Sequence, residues 1–321
     1  MKIKLKFEEK RSLDQEEFPA VTIIIPVRNN ETKLKVCLHA ISGQEYPSGK
    51  IEILVVDNNS SCPPSEVVEK YGNAKLLFYR STNSPYPSRN LGIRNAKNEI
   101  IILLDSNCIP SPRWLITGIR ALQATHASAV AGDIRFYYSK QINSGHFADT
   151  LLFANVEAAI MNGGAPGGNI FTKKETFRQF GYFPETIRSN GDSIWSNNIT
   201  RNGGLIIYEK NAYVEYAARG TWQFFRKSYR IGKGSYYYWK FLGYSNYKMI
   251  SLSLRQINQF SHTDIKKAIK IRFPEHTRPP LVKIHLVIQI GFILRAIART
   301  QTMFVQKLFR NINNSIHSQN F

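Results

Sequence analysis

Short apolar runs alternate with helix-like segments through the first 137 residues, and this alternation constrains the fold more than any other feature. Four runs have the composition of buried strands, namely residues 21–27, 52–57, 75–79 and 99–105. Four segments have helical spacing or a proline-marked start, namely residues 31–42, 63–71, 88–96 and 114–124. Continuous apolar strands that alternate with helices indicate a mostly parallel α/β sheet covered on both faces. In such a sheet, ligands bind beyond the carboxyl ends of the strands.

The positive charge of the chain is concentrated in its C-terminal third. The chain has 43 Lys and Arg residues against 23 Asp and Glu residues, a net charge of +20. Residues 201–321 hold 20 of the basic residues and 4 of the acidic ones, a net of +16. From residue 222 onward, aromatic side chains are interleaved with Arg and Lys. This composition suits an anionic membrane surface, a phosphorylated ligand or nucleic acid, and a solvated basic face is the alternative.

Signals for export and for a membrane-spanning segment are missing from the sequence. Residues 1–18 are charged and have no apolar region of the kind that signal peptides carry. Three widely spaced cysteines form neither a disulfide framework nor a thiolate zinc site. The most apolar run, residues 281–297, is interrupted by Lys283, His285, Gln289 and Arg295, so we expect that it does not span a membrane. We therefore expect a cytoplasmic protein.

Two of the predicted strands end in an aspartate that is followed closely by asparagine. Asp57 precedes Asn58, and Asp105 lies two residues before Asn107. A carboxylate at this edge of a sheet can accept a hydrogen bond from a ribose hydroxyl or a base N–H, or it can hold a cation. A single aspartate in this position is more often the cap of the next turn, but two in one sheet favour a ligand site.

The motifs of two large classes of nucleotide-binding enzyme are absent. The turn after the first strand, residues 26–30 (PVRNN), contains no glycine, so the dinucleotide fingerprint is missing. The phosphate-binding pattern GxxxxGK[ST] does not occur either. These absences argue against a nicotinamide-dependent enzyme and against a P-loop NTPase.

Several segments of the chain form a recognisable series, namely residues 21–29 (VTIIIPVRN), 52–60 (EILVVDNNS), 88–96 (SRNLGIRNA), 100–110 (IIILLDSNCIP), and 167–169 (GGN) with 190–192 (NGD). In these segments and their order, the chain resembles the family 2 glycosyltransferases, enzymes of the GT-A fold that transfer a sugar from a nucleotide-diphosphate donor. The resemblance covers about residues 21–234. The resemblance implies an α/β fold with a GT-A-type, Rossmann-like mixed sheet, mostly parallel and flanked by helices. The basic aromatic C-terminal region would be a helical extension of it.

The resemblance also implies a role for each residue of these motifs. Pro26, Arg28 and Asp57 would frame the base and ribose of the donor. The other donor-binding residues that the motifs imply are Asn29, Arg89, Asp105, Asn107, Gly168 and Asn169. Asp192 would be the general base that takes the proton from the acceptor hydroxyl. Without the resemblance, Asp192 is more readily explained as part of the cap of the helix that follows it.

Two departures from the family pattern concern the divalent metal. The loop after the fourth strand usually ends in a second metal-binding Asp, and this chain has Asn107 there. A His that relatives often carry is replaced by Tyr216. An amide oxygen is an uncharged and weaker ligand than a carboxylate. We therefore predict that Asp105 and Asn107 hold Mg²⁺ or Mn²⁺ only loosely, or that cations such as Arg219, Arg226 and Arg230 share the work of the metal.

The sequence predicts four parts of the chain. They are an N-terminal arm (residues 1–18), a catalytic domain (19–220), a helical region that lies on a membrane surface (221–310) and a frayed tail (311–321). The boundary at residue 220 is placed where the composition becomes basic and aromatic.

The leading functional interpretation is an inverting, non-processive glycosyltransferase of hexosyltransferase type, with a nucleotide-diphospho-sugar donor. Its acceptor would be a glycan or a lipid-linked molecule at the inner face of the cytoplasmic membrane, in polysaccharide or cell-surface glycan synthesis. The Q-x-x-R-W motif of processive relatives is absent from the sequence. A glycosyltransferase-like protein that binds nucleotide sugars with weak or no catalysis is one alternative. A nucleic-acid-binding protein is a more distant one, because no helix-turn-helix, RNP or zinc-finger signature is present, and we expect no nucleic-acid partner.

Overall fold

Eight strands within the described residues form one mixed sheet. The computed structural model describes residues 18–80, 84–138, 141–153, 155–273 and 279–318, with side chains up to residue 309. The strands are β1 (Val21–Val27), β2 (Ile51–Asp57), β3 (Ala74–Phe78), β4 (Ile100–Leu104), β5 (Cys108–Pro110), β6 (Ala129–Tyr137), β7 (Asn169–Lys173) and β8 (Ile206–Ala217). Their order is β3-β2-β1-β4-β7-β6-β8-β5, with four parallel and three antiparallel pairs. The predicted mixed, mostly parallel sheet is confirmed.

Helices flank this sheet and continue beyond it. In the described part of the chain they are α1 (Glu31–Ser42), α2 (Ser65–Val68), α3 (Pro85–Asn95), α4 (Trp114–Thr125), α5 (Ser144–Phe153), α6 (Val156–Met161), α7 (Lys174–Phe180), α8 (Gly191–Arg201), α9 (Thr221–Phe241), α10 (Asn246–Ile257), α11 (His262–Arg272) and α12 (Leu281–Ser318). Helix α3 starts three residues before the predicted position 88. The Ser84 side chain caps it by accepting from Tyr86 N, and Pro85 suits its first turn.

The central strands are buried on both faces, as their continuous apolar sequences predict. Ile23 and Ile25 pack into a cluster with α1 and α4 on one face of the sheet. Ile24 points to the opposite face, where it packs in a cluster with residues of α3, α7 and α8. Because successive side chains of a strand alternate between faces, a run such as VTIIIPV must be apolar throughout when helices cover both sides.

The strand register collects several chain segments at one edge of the sheet. Strands β1, β2 and β4 are parallel, and Val27 lies opposite Asp57. Strand β7 is antiparallel to β4, so its first residue, Asn169, lies opposite Leu104, the last residue of β4. The loops that follow β1, β2 and β4 and the loop that precedes β7 therefore meet at this edge.

The C-terminal third is helical and packs on the rest of the chain, which confirms the predicted extension. Helix α9 begins at Thr221, next to the predicted boundary at residue 220. It packs closely on α12, because a Cβ atom at Gly232 would lie 2.4 Å from the carbonyl oxygen of Arg295. Helix α12 continues to Ser318, past residue 311 where we expected a frayed tail. Residues 1–17, nearly all of the predicted N-terminal arm, lie outside the described residues.

Helix α12 is more apolar than residues 281–297 alone suggest. Its segment Leu281–Phe309 is long and apolar enough to cross a membrane, by length and composition only. The interrupted run continues into further apolar residues, so the longer segment meets this criterion although residues 281–297 alone were not expected to span a membrane. The buried core helix of a soluble protein would meet the same criterion, and 33% of the most apolar window is buried inside this protein.

Candidate functional site

A cleft of about 670 Å³ opens at the edge where β1, β2 and β4 end. Ten residues were assigned a donor-binding or catalytic role from the motifs, and seven of them line it, namely Pro26, Arg28, Arg89, Asp105, Asn107, Gly168 and Asp192. They come from the end of β1, from α3, from the loop after β4, from the loop before β7 and from the first turn of α8. The topology of the sheet therefore brings together most of the residues that the motifs implied.

An ion pair between a buried arginine and a partly exposed aspartate lines this cleft. The Arg89 side chain is 4% exposed, and its Nη2 lies 2.6 Å from Asp105 Oδ1. The guanidinium also lies 5.7 Å from the ring centroid of Tyr86 and 5.9 Å from that of Phe183. Burial alone would lower the pKa of Arg89, but the carboxylate of Asp105 and smaller contributions from its neighbours raise it above its ordinary value. Arg89 therefore stays charged in this site.

Gly167 and Gly168 let the backbone of the loop before β7 lie close to the charged side chains of the cleft. A Cβ atom at Gly168 would lie 2.8 Å from Asp105 Oδ2. A Cβ atom at Gly167 would lie 2.9 Å from Arg89 Nη1 and 3.1 Å from Asp192 Cβ. A side chain at either position would displace one of these groups, so the glycines fix the close approach of this loop to the cleft.

The carboxylate of Asp192 is held by hydrogen bonds from two sides. Its Oδ1 accepts from the Tyr86 hydroxyl and from Ser193 N, and its Oδ2 accepts from Gly167 N, each at 3.0 Å. Burial, together with the nearby carboxylate, raises the pKa of Tyr86, so the phenol remains a donor at neutral pH. Asp192 lies inside the first turn of α8, whose N-cap is Asn190, and its bonds to Tyr86 and Gly167 tie it to the cleft. Oδ2 accepts one of these bonds and retains a second lone pair.

Two cations that line the cleft, Arg219 and Lys227, pair with one buried carboxylate. Asp149 of α5 is fully buried and accepts from Lys227 Nζ at 3.1 Å and from Arg219 Nη1 at 3.3 Å. Burial, followed by repulsion from Arg219, holds the pKa of Lys227 well below its ordinary value. Burial also lowers the pKa of Arg219, although Asp149 opposes this effect. One carboxylate thus balances two cations, and this part of the cleft keeps an excess of positive charge.

The cleft as a whole is strongly basic. The cations that line it are Arg28, Arg89, Arg188, Arg219, Lys227 and Arg230, whereas its acidic residues within the described chain are Asp105 and Asp192. Burial and repulsion from Arg230 and Arg28 lower the pKa of Arg188, a sign that these charges crowd one another. Such a surface favours a ligand with several negative charges.

Asn169 does not line the cleft, although the motif implied that it contacts the donor. Its side chain is buried, and its Oδ1 accepts from Trp114 Nε1 at 2.8 Å. Its Nδ2 donates to the carbonyl oxygens of Asp133 and Ala212, both at 2.9 Å. The amide is used fully in joining α4, β6 and β8, so its position fits a structural role rather than the implied donor contact.

Asn29 and Asp57 lie at the border of the cleft without lining it. Asn29 Oδ1 accepts from Ser61 N at 2.8 Å, and this bond joins the loop after β1 to the loop after β2. Asp57 is 3% exposed and accepts from Ser60 N through Oδ2. Its Oδ1 is buried without a hydrogen-bond partner among the described residues. An unpaired buried acceptor is costly, so a ligand that donates to it would gain affinity.

The described residues do not form a divalent metal site of their own. Asp105 Oδ1 is already paired with Arg89, which leaves Oδ2 and the side-chain oxygen of Asn107 as ligands in the loop after β4. Tyr216 lines the cleft, but its hydroxyl is bonded to Arg219. No cluster of three or more His, Cys, Asp or Glu side chains suited to a metal occurs within the described ranges. The donor set and the surrounding positive charge therefore fit a resident metal poorly.

Several residues of the site were not singled out from the sequence. Tyr86 and Asp149 are isolated members of helical segments, and nothing in their local sequence distinguishes them. Lys233 of α9 was not singled out either, although it recurs with Arg226 and Arg230, which the sequence did indicate, at intervals of four and three residues. This spacing places them on one face of a helix.

The chain is similar in sequence to known glycosyltransferases. The sequence model of the family described as Glycosyl transferase family 2 matches residues 22–181. Glycosyltransferase AglE of Haloferax volcanii is 28% identical over 74% of this chain and 79% of its own length. The chain spans less than half the length of several other curated relatives that it matches.

Two solved structures are similar in fold. Mannosyltransferase PcManGT of Pyrobaculum calidifontis, in complex with GDP-Man and Mn²⁺, is 17% identical with a TM-score of 0.62, and 91% of each chain is covered. S. aureus TarS 1-349, in complex with UDP-GlcNAc, is 15% identical with a TM-score of 0.52, and 88% of this chain and 90% of that one are covered. These likenesses confirm the fold that the sequence predicted.

Replacing Asn169 by Ala should destabilise the fold without weakening nucleotide binding. The substitution leaves the Trp114 indole N–H and two carbonyl oxygens without partners, so the free energy of unfolding should fall by about 2–4 kcal/mol. Urea unfolding measures this loss, and titration with UDP and GDP measures affinity. Asn107→Ala is the control, because the Asn107 side chain forms no hydrogen bond with the described residues and its loss should leave stability within about 0.5 kcal/mol. Unchanged stability with lost nucleotide affinity would place Asn169 in the donor site instead.

Proposed function

We propose that this chain, which belongs to glycosyl transferase family 2 and is a glycosyltransferase, transfers a sugar from a nucleoside diphosphate to an acceptor hydroxyl. The configuration at the anomeric carbon of the sugar is inverted in this transfer. The acceptor is a glycan or a lipid-linked molecule, and one sugar is added per encounter. The observation that carries the proposal is the carboxylate of Asp192 at the edge of a cleft that six cations line.

The donor binds with its nucleoside at the ends of β1 and β2. Pro26 and Arg28 line this part of the cleft, and the unpaired Oδ1 of Asp57 is suited to accept from a base N–H or a ribose hydroxyl. The cleft volume of about 670 Å³ is within the range of ligand sites for molecules of this size. The structurally similar PcManGT and TarS were solved with GDP-Man and UDP-GlcNAc, which supports a nucleotide-sugar donor for this chain as well.

The positive charge of the cleft stabilises the departing diphosphate. When the anomeric carbon–oxygen bond breaks, its electron pair goes to the diphosphate, whose negative charge therefore increases. Guanidinium and ammonium groups fixed in advance around that charge lower the barrier, and a group of this kind contributes on the order of 2–4 kcal/mol. Arg89 is held by its ion pair, and Arg219 and Lys227 are held by Asp149. These cations carry most of the charge compensation, and a divalent cation that arrives with the donor has only Asp105 and Asn107 as protein ligands.

Asp192 is the general base of the transfer. As the acceptor oxygen attacks the anomeric carbon, its proton passes to Asp192 Oδ2, the oxygen that retains a free lone pair. The Tyr86 hydroxyl and the backbone N–H of Gly167 keep the carboxylate in one orientation. Attack on the face opposite to the diphosphate inverts the configuration at that carbon.

Replacing Asp192 by Asn should abolish most of the transfer and leave donor binding intact. The amide cannot take the proton, and loss of a general base typically costs about 10²–10⁴-fold in rate. Turnover with the preferred nucleotide sugar, measured beside titration of the nucleoside diphosphate, separates the two effects. Asp133→Asn is a matched control, since it removes a carboxylate that pairs with Arg135 outside the cleft. A rate within a few-fold of wild type would show that Asp192 only caps α8.

Replacing Asn107 by Asp should make the activity depend more strongly on Mn²⁺ or Mg²⁺. The substitution adds a charged oxygen next to Asp105, where the wild-type chain offers an amide. Metal titrations of wild type and variant, each started from enzyme treated with EDTA, should show half-maximal activation at a lower metal concentration for the variant. If the two titration curves coincide, position 107 does not face the metal.

We further propose that the protein binds peripherally to the inner face of the cytoplasmic membrane through α12. Apolar side chains exposed by 40–72% recur along this helix at intervals of four and seven residues, namely Val282, Leu286, Ile293, Ile297, Phe304 and Leu308. These six residues form an apolar stripe on one side of α12, opposite the side that packs on α9 and α10 through residues such as Ile288 and Phe292. The surrounding C-terminal third supplies a net charge of +16. An apolar stripe among cations suits the headgroup region of an anionic bilayer.

Replacing Leu286, Ile293 and Ile297 by Gln should weaken binding to anionic vesicles at least tenfold. The three substitutions remove apolar surface from the stripe and leave every charge in place. Co-sedimentation with vesicles of increasing anionic lipid content, at low and high salt, measures the effect. The control replaces Val36, Phe78 and Leu205 by Gln, because these side chains are exposed to a similar extent but belong to other elements. No binding of wild type at low salt would contradict the proposal, and binding that resists both high salt and carbonate would indicate an integral segment instead.

A further inference from the structure

A second cavity, here called the basic pocket, adjoins the cleft. It has a volume of about 1060 Å³ and is formed by one face of α9, by residues 186–188 and by residues of α12. The cations that line it are Arg188, Arg219, Arg226, Lys227, Arg230 and Lys233, and none of the described residues around it is acidic. Four of these cations also line the cleft, so the two cavities are continuous. Arg226 and Lys233 line the basic pocket and are not among the residues that line the cleft, so Arg226 lies outside the site in which the sequence placed it.

The positive charge of the basic pocket is largely uncompensated within the protein. Asp149 pairs with Arg219 and Lys227, but Arg226, Arg230 and Lys233 form no ion pair with any described residue. The guanidinium of Arg226 lies 5.8 Å from the Trp222 ring, and the ammonium of Lys233 lies 5.0 Å from the Tyr229 ring. A group of free cations in a concave site matches a phosphate or diphosphate, whose oxygens can accept from several of them at once.

One side of the basic pocket is apolar and leads to the stripe on α12. Ile290 and Leu294 line the pocket. Ile290 is four residues after Leu286 and three before Ile293, and Leu294 is three before Ile297. Residues three and four apart are neighbours on a helix surface, so the pocket wall continues without a break into the exposed apolar stripe. A ligand of this pocket therefore meets cations at one end and apolar surface at the other.

The other side of the basic pocket leads to the general base. A Cβ atom at Gly234 of α9 would lie 2.3 Å from the carbonyl oxygen of Ser189, so α9 packs directly on the segment that contains Arg188. This segment continues into Asn190 and then Asp192, both of which line the cleft. A molecule whose anionic group is bound between α9 and Arg188 can thus extend its far end toward Asp192.

We propose that the acceptor is a lipid in which a phosphate or diphosphate joins the hydrocarbon chain to a sugar. The anionic group binds between Arg226, Arg230 and Lys233, the hydrocarbon leaves along Ile290 and Leu294, and a sugar hydroxyl faces Asp192. The inference rests on the proposed function and specifies its acceptor. A soluble neutral glycan would use neither the cations nor the apolar wall, and a second nucleotide would use only the cations. The reaction is the transfer described above, in which the hydroxyl oxygen gains the anomeric carbon and loses its proton to Asp192.

Binding of decyl phosphate in the absence of any donor tests this assignment. Below its micellar concentration, decyl phosphate should bind the full chain at least tenfold more tightly than inorganic phosphate or decyl maltoside, as measured by calorimetric titration. The double variant R226A/K233A should lower its affinity at least tenfold and leave binding of UDP and GDP unchanged. The control K266A/K267A removes the same charge from α11, outside the pocket, and should bind decyl phosphate as wild type does. The double variant I290Q/L294Q should weaken the binding of decyl phosphate and leave the binding of inorganic phosphate unchanged.

Two results would overturn the assignment. Equal affinity for decyl phosphate and inorganic phosphate would mean that the pocket binds an anion but no hydrocarbon. Decyl phosphate affinity that survives both double variants would place its binding elsewhere. The variants are accepted as folded when they still bind UDP or GDP, and the conservative pair R226Q/K233Q replaces R226A/K233A if that variant does not. A wild-type chain that binds decyl phosphate as expected but binds no nucleoside diphosphate would overturn the proposed function and support the lipid-phosphate site.

Discussion

The buried guanidinium of Arg89 is the charge around which the rest of the cleft is arranged. A buried cation is strongly unfavourable unless it is paired, and Asp105 provides the partner at 2.6 Å. The pair requires that α3 and the end of β4 lie at a fixed distance, which the parallel register of β1, β2 and β4 provides. It also requires Gly167 and Gly168, since a side chain there would displace Arg89 or Asp105. Through Gly167, the same loop holds Asp192.

The second constraint is an excess of positive charge that the protein does not neutralise. Asp149 is buried under two cations, and the remaining cations of the cleft and the basic pocket crowd one another. Mutual repulsion of this kind lowers stability, and a protein retains it where a ligand brings the opposite charge. The donor diphosphate and an anionic acceptor would together supply that charge. Under the proposed function, these cations would stabilise the leaving group although the loop after β4 offers only the carboxylate of Asp105 and the amide of Asn107 to a metal.

Much of the fold could be predicted from the sequence, because strands buried on both faces are apolar throughout and end in recognisable loops. Helix α1 has the predicted bounds, and Asp57 and Asp105 lie at strand ends as expected. The orientation of Asn169 could not be predicted, since successive residues of a strand point to opposite faces and the motif does not say which face holds the ligand. The role of Asp149 as the partner of two cations could not be predicted either, because Arg219 and Lys227 lie 70 and 78 residues away in the chain.

We expect this basic cleft to bind a nucleoside diphosphate mainly through the protein's own cations. The decisive measurement is thermal unfolding with UDP, GDP and dTDP, each compared with its nucleoside, first with EDTA and then with added Mn²⁺. At one hundred times its dissociation constant, a bound ligand stabilises the folded state by about 2.7 kcal/mol, enough to raise the melting temperature by a few degrees. We predict such a rise for at least one diphosphate with EDTA, and none for its nucleoside. A rise that occurs only with added Mn²⁺ would contradict binding through the protein's own cations, and no rise under either condition would show that the cleft is not a nucleotide site.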